Sequence, residues 1–139
     1  MEKYTFFDHT ADVGIIAYGN SLEELFLNAA MAVFETIAEL ESIIETVSIK
    51  IEVESETVEE LIVEWLRELL YQHGVREVFF KRVEINSINE TSVSAIAYGE
   101  PILLSKHIFN TEIKNITYHK LKVEKLPDNT WQAQIVLDL

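Results

Sequence analysis

Three clusters of side chains in this sequence carry residue types that chemistry uses. The first is Asp8-His9-Thr10-Ala11-Asp12-Val13-Gly14. Its two carboxylates and one imidazole could ligate a cation, or His9 could act as a base. Asp and Thr also satisfy loop amides, so the same residues fit plain turn chemistry. The second cluster runs from Trp131 to Leu139. Strand alternation there puts Trp131, Ala133, Ile135 and Leu137 on one face, and Asp138 on the other with Gln132 and Gln134. An Asp ending a strand has little purpose on propensity grounds. It is followed by the main-chain oxygen of Leu139. With Asp12 alongside, these oxygens suit a hard cation such as Ca²⁺ or Mg²⁺; without it, Asp138 is a solvated strand end. The third cluster is Thr111 to His119, where Glu112 and Lys114 alternate with Ile113 and project from one face. A lysine beside an acidic centre binds a phosphate or a partner carboxylate. The alternative is an exposed pair of little energetic weight.

Other chemistries are excluded. There is no phosphate-binding G-x-x-x-x-G-K-[ST] loop, no G-x-S-x-G elbow and no H-E-x-x-H helix. His9, His73, His107 and His119 show no regular metal spacing. The absence of cysteine removes disulfides, thiolate metal sites and a cysteine nucleophile. Formal net charge is −13, and the 11 Lys and Arg residues are scattered. Direct DNA or RNA binding is therefore disfavoured. An acidic surface of this kind meets a basic partner protein or holds a cation. No apolar run approaches a membrane span, and the N-terminus lacks a signal-peptide pattern. A soluble cytoplasmic protein without membrane contact is expected.

These clusters need a scaffold. With 139 residues and 48% hydrophobic composition, residues 1–139 are expected to form one domain. Ser21 and Glu24 form a capping box, and Leu22, Leu25, Phe26, Ala29, Ala30, Val33, Phe34 and Ile37 then recur at helical spacing. A second box, Thr57 to Glu60, opens a helix with Leu61, Ile62, Trp65, Leu66, Leu69 and Leu70 on its apolar stripe. Gly74 is its expected stop. Strands are expected over 3–7 and 13–18, flanking the first cluster as a loop, and at the alternating Val47, Ile49, Ile51 and Val53. Hairpins are expected from 78 to 98, turning at Asn89-Glu90, and from 118 to 137, turning at Pro127-Asp128-Asn129. The fold class is α+β: a mainly antiparallel sheet with two amphipathic helices packed on one face.

Taken together, these motifs resemble the archease family. The resemblance rests on Asp8-His9-Thr10-Ala11-Asp12, on Leu61 to Leu66 with Glu68 to Tyr71, on Glu112-Ile113-Lys114 with Thr117-Tyr118-His119, and on Trp131-Gln132-Ala133 ending in Leu137-Asp138-Leu139. It spans nearly the whole chain in order. It implies a non-catalytic accessory protein of the GTP-dependent RNA-splicing ligase that seals tRNA halves. Such a protein promotes ligase guanylylation and repeated turnover and broadens nucleotide use. It would reach tRNA only through the ligase. The resemblance also implies a divalent-cation site, calcium foremost with Mg²⁺ or Mn²⁺ as alternatives, at Asp12, Asp138 and the main chain of Leu139. Lys114 matches a lysine of the activating function. Asp8, His9, Glu68 and His119 are further candidates. The sequence departs from the family pattern at Asn115, where a small residue is usual, at Thr130 in place of glycine, and in its Leu137-Asp138-Leu139 ending. The competing readings are an independent metal-dependent phosphoester hydrolase with His9 as general base, and a chaperone-like binding module.

Overall fold

The computed structural model of the chain describes residues 2–9 and 12–139, apart from the side chain of His9. Strands β1 (Tyr4–His9) and β2 (Asp12–Gly19) lead into helix α1 (Leu22–Ile37). A short 3₁₀ turn precedes β3 (Val47–Glu54) and helix α2 (Val58–Arg76). Four strands complete the chain: β4 (Val78–Ile88), β5 (Ser92–Pro101), β6 (Asn115–Lys125) and β7 (Trp131–Asp138).

Both helices begin where side chains supply missing acceptors. Ser21 Oγ accepts from the Glu24 N–H at 3.1 Å, and the Glu24 carboxylate accepts from the Asn20 N–H at 3.1 Å. Thr57 Oγ1 accepts from the Glu60 N–H at 3.2 Å. The expected stop at Gly74 is corrected. Helix α2 runs on to Arg76 and closes at Glu77, whose left-handed backbone (φ 53°) returns its N–H to the His73 carbonyl. An internal glycine costs a helix only about 1 kcal/mol, so the ladder continues through it.

The strands divide into two antiparallel sheets, ordered β1-β2-β7-β6 and β3-β5-β4. Helix α1 packs on β2 and β4, and α2 packs on β6 and β3, so each helix touches both sheets. One apolar cluster joins them, including Ile15, Phe26, Ile51, Trp65, Phe79 and Ile135. Inside it Trp65 donates its indole N–H to the Phe26 carbonyl at 3.1 Å, which removes the cost of burying that donor. The α+β reading holds, with the strands in two sheets.

Two boundaries shift towards the site. The expected loop from Asp8 to Gly14 is mostly strand, because β1 extends to His9 and β2 starts at Asp12; Thr10 and Ala11 lie outside the described residues. The last hairpin begins earlier than expected, at Asn115, and β6 slips register between Thr117 and Lys122. Lys120, inside that bulge, has a φ of 54°. Among the described residues, no helix is long and apolar enough to cross a membrane.

Candidate functional site

The first sheet brings together residues from the two ends of the chain. Asp12 on β2 stands directly opposite Asp138 on β7, and Asp138 stands opposite Asn115 on β6. His9 completes the row on β1, opposite Asp12, although its side chain lies outside the described residues. Directly opposed residues share a sheet face with Cβ atoms roughly 4.5–5.5 Å apart. The row therefore places two carboxylates and an amide side by side at one end of the sheet.

The pleat decides which face they occupy. Ala133, Ile135 and Leu137 are fully buried towards the helices, so Asp138 projects from the other face. Asp12 shares that outer face with Gly14, over which the Phe7 ring lies: a Cβ at Gly14 would sit 2.1 Å from that ring. Asp8 pairs with Val13, two residues on from the Phe6–Ile15 pair, so it belongs to the helix-facing side. The sequence groups Asp8 with Asp12 in one cluster; the hairpin register, which sets Asp8 opposite Val13 and His9 opposite Asp12, sends them to opposite faces.

Lys114 is tied to the row through its backbone. Its N–H donates to the Asp138 carbonyl at 2.8 Å. Ile113 is buried, while Glu112 and Lys114 are exposed, as their alternation suggested, though the segment is irregular rather than a strand. Lys114 lines a surface groove of about 380 Å³ with Arg67, Leu70, Tyr71, Gly74 and Glu112. Leu139 is half-buried against the core and so fixes the backbone just after Asp138. Glu68 lies on α2, where it accepts from Gln72 Nε2 at 2.7 Å. His119 is exposed within the β6 bulge, beyond the carboxylate row, with its N–H on Thr117 Oγ1 at 3.3 Å.

A positioning group absent from the sequence reading clamps α2 to the start of β6. Arg67 Nε donates to the Ile116 carbonyl at 2.9 Å and Nη1 donates to Glu64 at 3.1 Å. The Tyr118 hydroxyl donates to the same Glu64 oxygen at 3.1 Å, and the guanidinium lies 5.0 Å from the Tyr118 ring centroid. Burial first, and the Glu64 hydrogen bond second, raise the pKa of that hydroxyl. The Glu64–Arg67 spacing of three on a helix was legible as an ion pair. The partnership with Tyr118 and Ile116 was not, because it spans distant segments.

Two opposed carboxylates supply hard oxygen donors suited to a divalent ion. Among the described residues, no group of three or more His, Asp or Glu side chains converges as a metal cluster. Asp12 and Asp138 could therefore contribute two carboxylates to a divalent ion, and the rest of its coordination shell would have to come from main-chain oxygen and water.

Comparison with known proteins gives a consistent family. Residues 4–139 match the model described as Archease protein family (MTH1598/TM1083). Protein archease of Methanosarcina acetivorans is 39% identical over 142 residues, covering 99% of this chain and 97% of the relative. Protein archease of Pyrococcus furiosus is also 39% identical, with both chains covered completely. The solution structure of Methanobacterium thermoautotrophicum protein 1598 superposes with a TM-score of 0.82 at 33% identity, covering both chains fully. The fold is shared as well by a Thermotoga maritima crystal structure described as an archease, possible chaperone, with a TM-score of 0.67 at 21% identity over 100% of this chain and 99% of that one.

Proposed function

Because this chain belongs to the archease family, we propose that it is a non-catalytic activator of a GTP-dependent tRNA-splicing RNA ligase, promoting guanylylation of the ligase and its repeated turnover. The observation that carries the site assignment is the direct opposition of Asp12 and Asp138, with Lys114 hydrogen-bonded to Asp138 through its main chain. Like charges directly opposed across strands are destabilising. A pair in that position has its natural use in holding a cation or meeting a partner's basic group. When bound there, a divalent ion would supply charge stabilisation to a phosphoryl group. The chain's own residues do the rest. Asp12 and Asp138 hold positive charge at one sheet end, and Lys114 offers a single cation to a phosphate or ligase carboxylate. The Glu64–Arg67–Tyr118 clamp holds the start of β6 against α2.

The test uses purified ligase, GTP and spliced-tRNA halves, with and without this protein. Activation predicts faster guanylylation and more than one product per ligase, while the protein alone neither hydrolyses nor transfers nucleotide. Nucleotide turnover by the protein alone would instead support the hydrolase reading. Stimulation that survives loss of both carboxylates would support the chaperone-like reading.

A further inference from the structure

His107 is a buried titratable group that the carboxylate site does not use. Its side chain is 0% exposed, yet it belongs to loop 102–110, an exposed apolar segment in which Leu103, Leu104 and Ile108 stand largely in solvent. Both ring nitrogens are engaged. Nδ1 lies 2.9 Å from the Leu103 nitrogen, and a backbone N–H can only donate, so Nδ1 is the acceptor. The ring proton is therefore on Nε2, which donates to Glu100 at 2.8 Å. The ring of Phe79 meets the imidazole edge-on, with centroids 5.3 Å apart.

The charged groups around the ring come from several elements. On β5, Glu100 also accepts from the Ile44 N–H at 2.9 Å and from Lys106 Nζ at 2.7 Å. The Ile44 N–H first, then Lys106 and His107, hold its carboxyl down at about 2, so it stays ionised at neutral and mildly acidic pH. From β4, Lys81 Nζ donates to the Ile43 carbonyl, next to Ile44, at 2.9 Å. Helix α2 contributes His73, stacked on Phe79, and is closed by Glu77, whose carbonyl accepts from the Ile102 N–H at 2.9 Å. Glu39 donates its N–H to the Ile108 carbonyl at 2.9 Å.

The two nitrogens respond differently to a second proton. At Nε2 the hydrogen bond to Glu100 is kept and becomes charge-assisted. At Nδ1 the proton occupies the lone pair that held the Leu103 N–H, and two donors then face each other. The Nδ1 contact closes a turn whose Leu103 carbonyl accepts from the Lys106 and His107 N–H groups at 2.9 and 2.8 Å. Little burial opposes its opening, because Leu103 is 55% and Leu104 77% exposed. The Ile102 contact with Glu77 and the Asn110 N–H on the Ile37 carbonyl, at 2.8 Å, tether the two ends.

We propose that His107 is a proton-operated latch: protonation at Nδ1 releases the Leu103 N–H and opens the 103–107 turn, displacing Leu103 and Leu104, while Nε2 stays on Glu100. The closed turn requires an unprotonated Nδ1. It therefore persists at higher pH and is lost as pH falls through the range in which imidazole takes up a proton. The latch is independent of the activator reading.

The test is NMR of ¹⁵N-labelled protein between about pH 8 and about pH 5.5. Corrected for the intrinsic rate at each pH, protection of the Leu103 amide from hydrogen exchange is expected to fall at least about tenfold, with the midpoint of the His107 ring's own titration. The Ile102 and Asn110 amides at the tethered ends should keep their protection. His107→Asn offers an amide oxygen in place of Nδ1 and cannot titrate, so its Leu103 amide should show no pH step. His73→Gln should leave the step intact. A Leu103 amide that stays protected while His107 titrates overturns the latch, as does a ring that takes up no proton in this range. A step that survives in His107→Asn, or vanishes with His73→Gln, assigns it to another group and overturns the proposal equally.

Discussion

At the residue scale, Asp12 and Asp138 gain their meaning from register. Asp138 could be read in the sequence as the outward residue of an alternating strand, and Asp12 as one carboxylate in a dense cluster. Their pairing could not, since neither strand's local pattern specifies which strand lies beside it. Asp138→Asn keeps the shape and removes one charge. It is expected to abolish calcium binding measured by isothermal titration calorimetry and to leave thermal stability unchanged or slightly raised, as it relieves a like-charge pair. Retention of calcium binding by the Asp12→Asn/Asp138→Asn protein would remove the carboxylates from the ion site. Glu100 gives a separate prediction. The Ile44 N–H first, then Lys106 and His107, hold its carboxyl down at about 2 from an ordinary 4.5. A carboxyl with a lowered folded-state pKa binds fewer protons folded than unfolded, so its contribution is present above pH ~4.5 and is lost as pH falls towards ~2. Glu100→Gln should lower the urea midpoint at neutral pH and flatten its fall across that acid window. Parallel curves for both proteins would contradict this.

At the element scale, the helices were legible because capping boxes and apolar stripes are local signals. The strands were legible as segments but not as sheets, since nothing in β3 or β6 alone says that they belong to different ones. The β6 bulge was hidden for the same reason: its extra residues are visible only against β7. Two glycines separate packing from helix propensity. A Cβ at Gly99 would lie 2.2 Å from the Phe79 carbonyl oxygen, which is backbone and cannot swing aside. Gly99→Ala should cost roughly 1–3 kcal/mol in chemical denaturation by forcing β4 and β5 apart. Gly74 has no heavy atom within 4 Å of an added Cβ and sits inside α2. Gly74→Ala should therefore stabilise by roughly 0.5–1 kcal/mol, a gain readable as a raised midpoint. A loss at Gly74, or neutrality at Gly99, would contradict the packing described for these elements.

On the scale of the whole molecule, a charge of −13 coexists with one buried apolar core and one exposed apolar loop. Composition made the acidic surface legible and thereby favoured a basic or cationic partner. It could not show that the carboxylate row, the Lys114 groove and the apolar loop are linked through α2 and the segment leading into β6. That link comes from contacts between distant segments, including Arg67 with Ile116 and Ile102 with Glu77. Under the proposed function, one acidic sheet end would face the ligase, and nucleotide and RNA chemistry would stay with the ligase. The most direct measurement is the single-turnover rate of ligase guanylylation at saturating concentrations of the unmodified protein, of Asp12→Asn and of Asp138→Asn. The account predicts strong stimulation by the unmodified protein and a fall of at least about tenfold in maximal rate for each variant, consistent with removing a charge that supports phosphoryl chemistry. Equal maximal rates for all three folded proteins would contradict it.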